Sequence, residues 1–160
     1  MIIGYKAFHK GLINCFNQNL KVGKIYHANG DIKFKKNGFH ICANLEDTLK
    51  YFDAMTEDID IAKVICYGNI DKYDDEFYGY YNMYSCEYMI IDRVLTRKEI
   101  ISYALNLDSE RVKKFISLFK LTREELILFK NKFEQYEQVI EYIKYYQEND
   151  KEVFKRKLEK

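Results

Sequence analysis

Tyr73, Tyr78, Tyr80, Tyr81 and Tyr84 are interleaved with Asp71, Asp74, Asp75 and Glu76, and Glu57, Asp58 and Asp60 come shortly before them. Tyrosine offers broad contact area and a hydrogen bond at low entropic cost, and carboxylates beside it complement a basic surface. That chemistry is recognition, and Tyr73, Asp74, Asp75, Glu76, Tyr78, Tyr80 and Tyr81 are the candidate partner contacts. Common catalytic motifs are missing: there is no Ser-His-Asp order, no glycine-rich phosphate loop and no paired-histidine metal motif. Of three histidines, His9 and His27 fall at expected strand ends and His40 within a strand. The cysteines Cys15, Cys42, Cys66 and Cys86 are widely spaced and lack zinc-ligand spacing. Each stands in an apolar, strand-like context, so buried thiols in a reducing cytoplasm are expected, with no metal.

The elements that must position these residues fall into two kinds. Residues 2–8 are apolar enough for a first strand. Segments 24–27 and 31–34 flank Asn29-Gly30, a strong hairpin signal, and a second Asn-Gly at Asn37-Gly38 introduces the strand Phe39–Cys42. Asn44 is placed to cap a helix with Leu45, Leu49 and Phe52 on one face. Residues 61–68 read as a buried strand, 71–82 as an acidic loop and 84–94 as a last strand. Beyond this the spacing turns helical. Thr96 with Glu99 makes a capping box, Ser109 can cap the stripe Val112, Phe115, Ile116 and Phe119, and Thr122 with Glu125 repeats the box. The last box opens a long helix whose seam is Phe129, Phe133, Tyr136 and Ile140, either packed within the chain or joining a homodimer. A final charged helix would carry Val153, Phe154 and Leu158.

The expected class is therefore α+β: a small mixed or antiparallel β module with one short helix over residues 1–95, then a helical tail over 96–160. Net charge is +1, with 10 lysines against 13 acids up to Asp92 and an excess of four positive charges after it. Neither half has the strongly basic balance of a nucleic-acid binder, so direct nucleic-acid binding is not expected. No apolar run approaches the roughly 20 residues of a membrane span, and the N-terminus lacks the pattern of a signal peptide.

Two resemblances add to this reading. The run Gly38-Phe39-His40-Ile41-Cys42-Ala43, leading into a helix that Tyr51 closes, and the run Cys86-Glu87-Tyr88-Met89-Ile90-Ile91-Asp92 resemble the NAD-binding strand and catalytic-glutamate strand of ADP-ribosyltransferases of the poly-ADP-ribose-polymerase type. That resemblance implies that His40 stacks on nicotinamide and that Glu87 bonds the ribose hydroxyl and stabilises an oxocarbenium-like transition state. The family's first-strand His or Arg would have to come from the Tyr5-Lys6 region, with Lys6 the nearest cation, or from His9, and the cofactor would be NAD. Across residues 3–100 the succession Gly4–Phe8, Val22–Tyr26, Gly30–Lys33, Asn37–Cys42 and Ile90–Thr96 is similar to a small uncharacterised domain of phage and prophage proteins. This implies a mobile-element product in a bacterial cytoplasm. The leading expectation is an inhibitor that binds a host protein or ribonucleoprotein complex, of the anti-CRISPR or other anti-defence type, needing no cofactor. The alternative is an ADP-ribosyltransferase-like enzyme that uses NAD through Lys6, His40 and Glu87.

Overall fold

A computed structural model describes residues 1–75 and 80–148, with the main chain alone for residues 75, 80 and 81. The backbone divides into two units, one of residues 1–52 with 57–95 and one of residues 53–56 with the chain from Thr96 onward. The class is α+β, as the alternation of strand and helix patterns requires.

In the first unit the strands are β1 (Ile2–His9), β2 (Ile25–His27), β3 (Phe39–Cys42), β4 (Ile59–Asp75) and β5 (Tyr80–Val94), with a short helix α1 (Leu45–Thr48) continued by a 3₁₀ turn, Leu49–Tyr51. All pairings are antiparallel, in the order β2-β5-β3-β1-β4, and β4 also pairs with β5. Neighbours therefore run β5-β3-β1-β4 and back to β5, with β2 added on β5. The ring is thinnest between β1 and β3, where the register holds one pair, Tyr5 with Cys42. Gly4 allows this approach, since a Cβ there would stand 2.7 Å from the carbonyl oxygen of Cys42. Phe8, Ile41, Val64, Cys66, Cys86, Met89 and Ile91 form the core, with Leu12 and Leu20 from the loop after β1. That loop is anchored by Asp60, whose carboxylate accepts the N–H groups of Gly11 (2.7 Å) and Leu12 (3.1 Å).

Asn44 stands at the N-cap of α1 but makes no side-chain capping bond, and the strand expectations for the first unit fail in two places. Residues 24–27 and 31–34 do not form a hairpin. Gly30 does turn the chain, with φ +89°, but β2 pairs instead with β5, from Ile25 opposite Ile90 to His27 opposite Tyr88. A lone two-strand hairpin is marginal in water, whereas the edge of a long strand over a buried core gives β2 a stable ladder. Residues 31–34 run as a loop closed by the bridge Lys33–Asn37. The acidic stretch 71–82 is also not a plain loop: β4 continues to Asp75 and β5 starts at Tyr80. Tyrosines favour strands, and alternate charged residues do not prevent a half-solvated one.

In the second unit, α2 (Arg97–Leu105), α3 (Ser109–Leu118), α4 (Arg123–Lys132) and α5 (Glu137–Tyr142) are followed by a π-helical turn, Ile143–Gln147. Both capping boxes form, at Thr96 with Glu99 and Thr122 with Glu125. The cap of α3 is Asp108 rather than Ser109; its carboxylate accepts the N–H of Arg111 at 2.8 Å. The expected long helix breaks between α4 and α5. Phe129 and Phe133 are buried, and Phe129 stacks on Phe115 with centroids 6.1 Å apart. Tyr136 is 51% exposed, Ile140 is half-buried, and Val139 and Ile143 take the buried positions instead. The break resets the helical phase so that α5 packs on α3. Phe129 and Phe133 thus spend their apolar surface inside the unit. Val153, Phe154 and Leu158 lie outside the described residues.

No helix of the described residues is long and apolar enough to cross a membrane.

Candidate functional site

Strands β1 and β3, helix α1 and the loops before β3 and after β1 enclose a cavity of about 260 Å³. Its walls include Tyr5, Lys6, Cys15, Phe34, Lys35, His40, Cys42, Thr48, Tyr51, Phe52 and Met83. No carboxylate is among the lining side chains. Aromatic rings and two lysines give it the character of a site for a ring-bearing ligand with acceptor or anionic groups.

Lys6 extends from β1 so that its Nζ donates to the main-chain carbonyl of His40 at 2.8 Å, with the Phe8 ring centroid 5.9 Å away. Burial pushes its pKa below the ordinary lysine value, an effect partly offset by the thiols of Cys42, Cys15, Cys66 and Cys86. His40 accepts the N–H of Lys35 at Nε2, 2.9 Å away. An acceptor Nε2 places the proton of the neutral ring on Nδ1. Burial first, and then the charge of Lys6, lower the His40 pKa, which keeps the ring neutral. Phe34 meets His40 edge-on at 5.1 Å and stacks on Tyr73 at 4.5 Å, with the Lys35 ammonium 5.7 Å above the Tyr73 ring. On the opposite wall, Tyr51 Oη and Lys50 Nζ reach the Met83 sulfur at 3.5 and 3.4 Å, and Thr48 donates to the Leu45 carbonyl.

Glu87 does not line the cavity but lies next to it along the sheet. His40 is directly opposite Ser85 in the β3–β5 register, and side chains two residues apart share a face. Glu87 follows Ser85 by two residues on β5, one beyond Cys86, where the β3–β5 register ends. Its carboxylate accepts the N–H of Asn69 at 2.9 Å and stands 3.4 Å from His27 Nε2. The His27 ring stacks on Tyr88, and Tyr88 stacks on Tyr67. The ladder slips between Tyr67 and Ile70, where Gly68 takes φ +81°. A Cβ on Gly68 would stand 2.7 Å from Glu87 Oε2, so this bulge leaves the carboxylate its room.

A family model described as a domain of unknown function, DUF7666, matches residues 2–94. The chain belongs to this family. No curated protein matches it, and neither does any solved structure. The DUF7666 match covers β1 to β5, and so every residue of the cavity and Glu87.

The remaining candidates divide as follows. Tyr73 is engaged with Phe34. Asp74 bonds Lys72 Nζ at 2.7 Å and the Asn82 N–H at 2.5 Å, and these partners hold its carboxyl below the usual range. Asp75 and Tyr80 pair through the main chain of β4 and β5, and Tyr81 follows on β5, the side chains of all three lying outside the described atoms; Glu76 and Tyr78 lie outside the described residues. The cysteines do not all behave as buried thiols: Cys42, Cys66 and Cys86 are buried, but Cys15 is exposed in the loop that closes the cavity. Hydrogen bonding to Cys86, together with burial, pushes the Cys66 thiol far up. Sequence reasoning missed Phe34, which it had placed in a hairpin strand, and Lys35 just beyond that strand. Their signal was the adjacent aromatic-cation pair, which has no period of its own. Among the described residues no group of His, Cys, Asp or Glu is placed to hold a metal ion.

Proposed function

We propose that the DUF7666 unit binds NAD and acts as an ADP-ribosyltransferase-like enzyme on a protein partner. The observation that carries this reading is that Lys6, His40 and Tyr51, from three separate elements, line one cavity, with Glu87 two residues along β5 from Ser85, the register partner of His40. The cavity fits part of NAD: about 260 Å³ is just below the roughly 300–1,000 Å³ of pockets for drug-sized ligands. It would hold the nicotinamide ring and its ribose, leaving the rest of the dinucleotide outside.

In this reading NAD supplies a glycosidic carbon whose bond to nicotinamide is already activated by the ring's positive charge. The neutral His40 ring and Tyr51 sandwich the planar group without adding charge. Lys6 donates a hydrogen bond whether protonated or neutral. Glu87 accepts a hydroxyl proton of the ribose and places its charge beside the carbon that becomes positive, held there by Asn69 and His27. A nucleophile of the partner protein completes the transfer.

The test is nicotinamide release from NAD, and transfer of label from adenylate-labelled NAD to lysate proteins, by wild type, Glu87→Gln and Tyr51→Ala. Turnover by wild type, lost in Glu87→Gln with NAD binding retained, supports the reading. Failure of wild type to bind NAD in calorimetry at millimolar concentration removes it.

A second reading is inhibition of a host complex by binding alone. It draws on the ordering of Asp74 between Lys72 and Asn82, which presents a carboxylate on the β4–β5 hairpin. Undiminished partner capture by an Asp74→Lys, Asp75→Lys double variant counts against it.

A further inference from the structure

The preceding reading uses Lys6 only as a hydrogen-bond donor and leaves the nucleophilicity of its amine unused. It is a primary amine at the wall of an apolar cavity, bonded to a neutral main-chain carbonyl and, among the described residues, within ion-pair distance of no carboxylate. A charged ammonium in such a place has given up water without gaining a counter-charge, an expensive state that is relieved when the proton leaves. The downward displacement of its pKa by burial agrees. A lysine whose ammonium form is disfavoured and which lines a cavity has the chemistry of an imine-forming nucleophile.

We propose that Lys6 captures the open-chain aldehyde of ADP-ribose as an imine. The choice of ADP-ribose rests on the NAD reading; the reactivity of the amine does not. After the ammonium releases a proton to water, the lone pair of Nζ bonds the aldehyde carbon and the carbonyl π pair moves to oxygen. That oxygen takes a proton from nitrogen to give a carbinolamine. The nitrogen lone pair then forms the C=N bond as hydroxide leaves and, with a proton from solvent, becomes water. The His40 Nδ1–H has no partner among the described residues and lies in the same cavity wall as a donor to the sugar. Cys42 and Cys15 border the same space, and their thiols remain uninvolved in the step.

The experiment incubates the full chain with ADP-ribose and sodium cyanoborohydride near neutral pH, which reduces any imine to a stable secondary amine, and maps the product by peptide mass spectrometry. The same sample is titrated with nicotinamide and with NAD by thermal shift. Modification at Lys6 at least ten-fold ahead of the exposed lysines, suppressed by nicotinamide and absent from Lys6→Arg, is the expected result. Lys6→Arg is compared with Lys6→Met by circular dichroism so that loss of labelling is not loss of fold. Labelling spread over exposed lysines with none at Lys6 overturns the proposal. If nicotinamide or NAD binds while Lys6 stays unmodified, capture is wrong and the NAD reading stands. If Lys6 is modified while neither binds, capture stands and the NAD reading falls.

Discussion

The side chain of Lys6 crosses from β1 to the main-chain carbonyl of His40, 2.8 Å away, at the seam where β1 and β3 share only the Tyr5–Cys42 register pair. One side-chain hydrogen bond thus supplements a ladder that is nearly absent. The cost is a partly buried amine, and this sets a pH dependence. The folded state disfavours protonation of Lys6, so between its depressed pKa and the ordinary 10.5 the unfolded chain binds more protons. Stability must rise with pH across that window and level off above it. The thiols of Cys42, Cys15, Cys66 and Cys86 act electrostatically on Lys6, and Lys6 acts in turn on the imidazole of His40. Denaturant midpoints measured from pH 7 to 10.5 should therefore climb less in Lys6→Met than in wild type. Equal slopes would show that Lys6 keeps its ordinary proton affinity when folded.

Gly68 and Glu87 give a prediction about the site. An alanine at 68 must hold φ near +81°, and its Cβ would meet Glu87 Oε2 at 2.7 Å and Tyr88 Cδ2 at 2.8 Å. The conformational term alone costs about 1–2 kcal/mol. Because Glu87 must also move, the NAD reading proposed above predicts that Gly68→Ala lowers nicotinamide release by more than ten-fold while NAD binding changes little, since Gly68 and Glu87 lie outside the cavity wall. A kcat within two-fold of wild type would mean that the position of the Glu87 carboxylate is immaterial.

Capping signals and short-range spacing made the helices legible. Thr96-x-x-Glu99 and Thr122-x-x-Glu125 are local devices, complete within four residues, and both form as written. The break between α4 and α5 was not legible, because Phe133, Tyr136 and Ile140 continue the three-and-four spacing through it. What decides is which phase packs on α3, a tertiary matter that puts Val139 and Ile143 inside. Similarly Asn29-Gly30 specifies a turn but not its partner, and β2 goes to β5. For the site, His40 and Tyr51 could be read from a strand-then-helix pattern. Cys15, Phe34 and Lys35 reach the cavity from loops whose course depends on distant anchors, such as Asp60 holding Gly11 and Leu12.

In the helical unit Gln147 ties the end of α3 to the following turn. Its Nε2 donates to the carbonyls of Ile116 (2.6 Å) and Phe119 (2.8 Å), and its Oε1 accepts the N–H of Leu121 (3.0 Å). The side chain is 4% exposed, so water cannot replace these bonds without opening the unit. Gln147→Leu leaves three buried main-chain groups unpaired and should cost about 3 kcal/mol, seen as a lower denaturant midpoint with unchanged helical circular dichroism at zero denaturant. A loss below about 0.5 kcal/mol would place those groups in contact with solvent.

The ion pair of Arg97 with Glu125 sets the acid limb of the same unit. Arg97 Nε and Nη2 donate to the two carboxylate oxygens at 2.7 and 2.8 Å, and Nη2 also reaches the Lys120 carbonyl. Burial would raise the Glu125 pKa, but the Arg97 hydrogen bonds and the Thr122 N–H outweigh it and hold the carboxyl below its ordinary 4.5. A carboxylate depressed on folding stabilises above its unfolded pKa and loses that contribution as pH falls through the folded value. Because Arg97 is nearly half exposed, solvent screening limits the pair to about 1 kcal/mol. Arg97→Met should therefore be less stable than wild type by about this amount at pH 7, and the two midpoints should converge as pH falls from about 4.5 to below the folded pKa of Glu125. A difference that persists undiminished at pH 2 would assign the effect to the contacts of Arg97 with the Phe119 ring, 5.0 Å away, and the Lys120 carbonyl rather than to its pairing with Glu125.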